Sequence, residues 1–152
     1  VTSMASVLWA LLGVLAGSFI AIQAPINAQL SQGLGLPTAA SGASFLVGAI
    51  VLAAISLVTA RLQGVTIAWG VPAPWLFVAG GCLGAAYVTS ALILIPRLGT
   101  AATMAFVVSG QLLAGMAIDR IGFLGVAVRE ISMGRLAGAV LLLAGALMIS
   151  IY

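Results

Sequence analysis

No charged side chain precedes Arg61. That run holds two apolar stretches of about 20 residues, each long enough to cross the roughly 30 Å hydrocarbon of a bilayer as a helix. Neither has the polar face that a soluble helix turns to water. The rest of the chain keeps the pattern. Over 152 residues only 5 % are charged, against roughly 25 % in soluble domains, and 64 % are hydrophobic. A chain this small has too little interior to hide that much apolar surface, so its solvent is lipid. Glycine, proline and arginine punctuate the apolar runs into five spans, at about residues 4–31, 37–60, 75–95, 100–118 and 133–152. The expected fold is an all-α integral membrane protein whose five transmembrane helices form one domain, residues 1–152. Val1-Thr2-Ser3 precede Met4 and are expected to be an added remnant. The first segment has no basic leader and outruns a signal-peptide core, so it is expected to be retained.

Polarity enters the first span at Gln23-Ala24-Pro25-Ile26-Asn27-Ala28-Gln29. Hydrocarbon offers an amide no partner, so each one needs a neighbour or water. Pro25 lacks an N–H and crowds the carbonyl of Ala21, so the helix is expected to kink or break there and leave a backbone oxygen free. Broken helices with polar groups at the break point to transporter binding sites. Gln23 and Asn27 are four apart and share a face, whereas Gln29 and Gln32 face elsewhere, nearer the interface. The plainer alternative is that these amides bond one helix to another, at about 0.6 to 2 kcal/mol each.

Other spans carry weaker signals. Gly80 and Gly84 in the third, and Gly134, Gly138 and Gly145 in the fifth, lie at spacings that mark small-residue faces for close helix packing. Tyr87, Thr89 and Ser90 form a polar patch on the third span. Gln111 lies deep in the fourth, where Thr103 and Gln111 read as one face. Tyr87 and Gln111 are the candidate opposite wall to Gln23 and Asn27, with bonding to a neighbouring helix as the alternative for both. Trp69 and Trp75 flank a loop and suit the headgroup layer, as does Tyr152 at the far end. The stretch from Asp119 to Ser132 holds an apolar patch too short to span, and reads as an interfacial or partly buried loop. Asp119 is expected to pair with Arg120 or another loop arginine.

Absences narrow the function. The chain has no histidine and one cysteine, Cys82, so neither a metal cluster nor a resident cofactor is expected. No nucleophile–base constellation or phosphate-cradling loop is visible, which argues against an enzyme. No acid lies mid-span, as a proton-coupled cation exporter would need. The net charge of +3 comes from five arginines and two acids at the segment ends; it suits a membrane face better than nucleic acid. Five spans put the termini on opposite sides. Arg61, Arg120, Arg129 and Arg135 then share the N-terminal side and Arg97 the other, so the positive-inside rule favours a cytoplasmic N-terminus.

Four stretches resemble the YdcZ-like family of the drug/metabolite transporter superfamily: Gln23-Ala-Pro-Ile-Asn-Ala-Gln-Leu30, Gly80-Gly-Cys-Leu-Gly-Ala-Ala-Tyr-Val-Thr-Ser90, Ile95-Pro-Arg-Leu-Gly99 and Gly110-Gln-Leu112. The likeness runs over nearly the whole chain from Met4. It implies a bacterial inner-membrane protein of five spans, half of a ten-helix inverted-repeat transporter. Two chains would pair in opposite orientations, as a homodimer or with an oppositely oriented paralogue; the bias of four arginines to one leans to a single orientation.

Resemblance and residues together predict a small-solute transporter working by alternating access. Its site lies at the kinked first helix, with Gln23, Asn27, Tyr87 and Gln111 as binding residues. With amides and hydroxyls but no buried charge, the expected solute is neutral or zwitterionic. The alternative is a non-transporting helical scaffold or accessory subunit, in which the amides only fasten helices.

Overall fold

Helix ends in this chain are set by glycine. The computed structural model describes residues 4–151; the remnant at Val1-Thr2-Ser3 and the interfacial placement of Tyr152 lie outside the described residues. The helices are α1 (Met4–Leu34), α2 (Pro37–Gln63), α3 (Pro74–Leu98), α4 (Thr100–Ile121) and α5 (Met133–Ile151). All five are long and apolar enough to cross a membrane, and no strand occurs among the described residues. The first four each run three residues past their expected end: 34 against 31, 63 against 60, 98 against 95 and 121 against 118. Arg61, Pro96 and the Asp119-Arg120 pair were read as stops, yet each lies inside a final turn. The helices stop instead before Gly35, Gly64, Gly99 and Gly122, all with φ between 64° and 80°; Gly64 and Gly122 take the left-handed conformation that closes a helix, whereas Gly99, with ψ 165°, is extended on its C-terminal side. At Gly64 the closure is doubled: its N–H donates to the Arg61 carbonyl and that of Val65 to the Ala60 carbonyl.

Starts follow local chemistry. Pro37 and Pro74 occupy first helical positions, where a missing N–H costs nothing. Ser132 caps α5, its hydroxyl accepting from the Arg135 N–H at 3.3 Å. α1 passes through Pro25 without a break and continues to Leu34. The lost bond is local, since only the Ala21 carbonyl loses its N–H partner four residues on. Hydroxyls inside the spans turn back on their own helices. Ser18, Ser41, Ser90, Thr103 and Ser109 each donate to the carbonyl four residues earlier. That removes Ser90 and Ser109 from the free polar groups of α3 and α4.

Contacts gather into two compact units, residues 1–93 and 94–152. In the first, α1 packs on α2. Ala24, Asn27, Ala28 and Ser31 are buried on α1, and Ala40 and Ser41 on α2. The α1 positions step by three, one and three, which keeps them on one stripe. Phe45 of α2 covers Gly84 of α3, where an added Cβ would lie 3.1 Å from the ring. Ser41 and Thr89 share a hydrogen bond of 3.0 Å between α2 and α3.

In the second unit α4 packs on α5 along a seam of period seven. Ala102, Ser109 and Met116 are buried on α4, and Ala139 and Ala146 on α5. The close-packed small residues of α5 are thus alanines, one step past Gly138 and Gly145. At Gly80, Gly138 and Gly145 an added Cβ would meet nothing within 4 Å, and at Gly134 only the Ser132 hydroxyl at 3.9 Å.

The α4–α5 connection folds back on itself. The Arg129 N–H donates to the Asp119 carbonyl at 2.9 Å, and Val128 crowds Gly122 so closely that a Cβ there would lie 2.8 Å from it. Phe123, Leu124, Val126 and Val128 stay exposed, so the loop is not partly buried within the chain.

Candidate solute-binding clefts

Three of the four candidate residues meet in the first unit. Gln23, Asn27 and Tyr87 line a cleft between α1 and α3, with Ile20, Ala24, Val88, Ala91 and Leu92 as its walls. Helical spacing explains the α1 side, where residues 20, 23, 24 and 27 fall on one stripe. The cleft measures about 20 Å³, room for about one water. On the other flank of Gln23 lies a groove of about 330 Å³, lined by Ser44, Phe45, Gly48, Ala49 and Leu52 of α2. Gln23 belongs to both linings.

The two α1 amides differ. Asn27 is only 5 % exposed, and its Oδ1 accepts a hydrogen bond from the Ser44 hydroxyl at 2.5 Å. One end of Asn27 thus ties α1 to α2. Its Nδ2 has no protein partner, yet no buried side-chain polar atom lacks one among the described residues, so Nδ2 reaches the surface of the cleft. Gln23 is exposed, and neither end of its amide is bonded among the described residues. Ser44 carried no sign of this role beyond its place at spacing four between Ala40 and Gly48. The bond joins residues 17 apart across the α1–α2 turn, where no local pattern reports it.

Gln111 lies in the second unit and lines a different cleft. Between α4 and α5, Gln111, Leu112, Gly115, Met116 and Asp119 face Arg135, Gly138 and Leu142 across about 550 Å³. Thr103 does not share this face. Eight residues turn a helix about 80° past whole turns, and Thr103 is fully buried while Gln111 is exposed. Asp119 pairs with Arg135, Nη1 to Oδ2 at 3.1 Å, rather than with Arg120 or a loop arginine. Arg135 wins because α5 begins at Met133, which sets its first turn beside the last turn of α4.

Five helices long and apolar enough to cross a membrane define a multi-pass membrane protein. The chain belongs to the family described as "Putative inner membrane exporter, YdcZ", whose model matches residues 8–148. Its place is therefore the inner membrane, in a lipid bilayer. Searches of curated proteins and of solved structures each returned no match.

Proposed function

We propose that the chain exports a small neutral or zwitterionic solute by alternating access, its five helices forming one half of a ten-helix unit completed by a second chain in opposite orientation. The observation that carries this reading is Gln23. An amide inside an apolar span, exposed and unbonded among the described residues, lies between a small cleft and a larger groove. Lipid cannot satisfy it, so a solute, water or a partner chain must. In this reading Gln23 and the free Nδ2 of Asn27 hold the solute and the Tyr87 hydroxyl or ring closes over it. The unbonded Ala21 carbonyl at Pro25 accepts a further hydrogen bond. Gln111 supplies a polar contact in its own cleft. The glycines Gly80 and Gly145, beside which an added Cβ would meet nothing among the described residues, with Gly134 at the start of the α5 face, give the partner chain room to approach and rock. Four arginines to one set the N-terminus in the cytoplasm.

The Asn27–Ser44 and Ser41–Thr89 bonds favour a second reading, a helical scaffold in which polar groups only fasten helices. A flux assay separates the two. Proteoliposomes loaded with a mixed extract of small neutral and zwitterionic metabolites are followed by mass spectrometry of the released solutes. The double substitution Gln23→Leu, Asn27→Leu is expected to abolish release while the oligomer stays intact. Loosening of the oligomer, with no flux from the unaltered protein, would favour the scaffold.

A further inference from the structure

We propose that the α4–α5 cleft is a second solute site and that it takes a zwitterionic amino acid with an apolar side chain, held by the Asp119–Arg135 pair. Four observations lead there. The pair closes one end of a cleft of about 550 Å³, within the usual range for small-molecule sites. Its two side chains remain 31 % and 33 % exposed. The pair meets through a single contact, Nη1 to Oδ2, so the second carboxylate oxygen and the rest of the guanidinium fork are unused by each other. A guanidinium can hold a carboxylate through two parallel N–H bonds, so the single contact leaves this pair with bonding capacity to spare. The walls behind it are Leu112, Met116 and Leu142, while Gly115 and Gly138 leave floor space where a Cβ would touch nothing.

An amino acid matches this arrangement group by group. Its carboxylate takes the open edge of Arg135, and its ammonium takes the free oxygen of Asp119. Its side chain lies along the leucine and methionine walls towards Gln111, about 12 Å along α4 from Asp119 at 1.5 Å per residue. A simple cation or anion would meet a like charge beside its partner; a zwitterion leaves each charge compensated. The site lies at the last turn of α4 and the first turn of α5, level with the α4–α5 loop, so the solute would enter from the headgroup layer.

The test is equilibrium binding of tritiated leucine to the full chain in lipid nanodiscs, with N-acetylleucine and leucinamide as competitors. The first lacks the ammonium and the second the carboxylate. The expected result is saturable binding that unlabelled leucine displaces and that either derivative displaces at least tenfold less well. Asp119→Asn and Arg135→Gln should each weaken binding at least tenfold. Gly138→Leu, which fills the floor without touching a charge, should do the same, and it decides the matter if a charge variant does not assemble. Absence of saturable leucine binding to the unaltered protein would overturn the proposal. So would competition by leucinamide equal to that by leucine, or unaltered affinity in Gly138→Leu.

Discussion

Gln23 and Asn27 share a face, yet among the described residues Asn27 is bonded and Gln23 is not. Asn27 gives its oxygen to Ser44, and Gln23 keeps both ends of its amide. Removing the donor isolates the structural half of Asn27. Ser44→Ala should weaken the α1–α2 contact by about 0.6 kcal/mol, and by no more than about 1.7 kcal/mol, measured by reversible unfolding in mixed micelles. Transport should persist, because Nδ2 is untouched. The spacing of the two amides was legible, since residues four apart on a helix must share a face. The Ser44 bond was not, because it depends on how α2 turns after Gly35 and Leu36, a tertiary fact with no local trace. The Asp119 partner was misread for a related reason. Adjacent Arg120 points off the same helix in another direction, while Arg135 arrives from the next one.

At the scale of elements, the five spans could be read from apolar run length alone, because a bilayer demands that length and little else does. Their ends could not. Charged and proline residues look like stops, but a membrane helix carries arginine in its last turn readily, and the hydrogen-bond ladders of α1 to α4 end where a glycine adopts positive φ. The seams were half legible. Small residues mark close packing, but glycine and alanine both qualify, and on α5 the buried ones are Ala139 and Ala146. Ala146→Leu should overpack the α4–α5 seam and destabilise it by about 1–3 kcal/mol. Gly145→Leu, one position away with open space beside it, should cost less in the same unfolding experiment.

For the whole molecule, an odd number of spans places the two termini on opposite faces. A second copy of this chain completes an inverted pair only if it inserts the other way round. Four arginines against one favour insertion with the N-terminus inside. Single cysteines added at either terminus, in a background with the exposed Cys82 replaced by alanine, should therefore label from one side of the cell membrane, calling for an oppositely oriented paralogue. Labelling of each terminus from both sides would show instead that the chain pairs with itself.

The central claim is that an unbonded amide on α1 contacts the exported solute, and Gln23→Leu alone tests it most directly. Asn27 and its bond to Ser44 remain in place, so helix packing is undisturbed. In proteoliposomes loaded with the same solute mixture, solutes released by the unaltered protein should be retained by the variant, with oligomer size and unfolding midpoint unchanged. Release of the same solutes at the same rate from the Gln23→Leu protein would contradict the account.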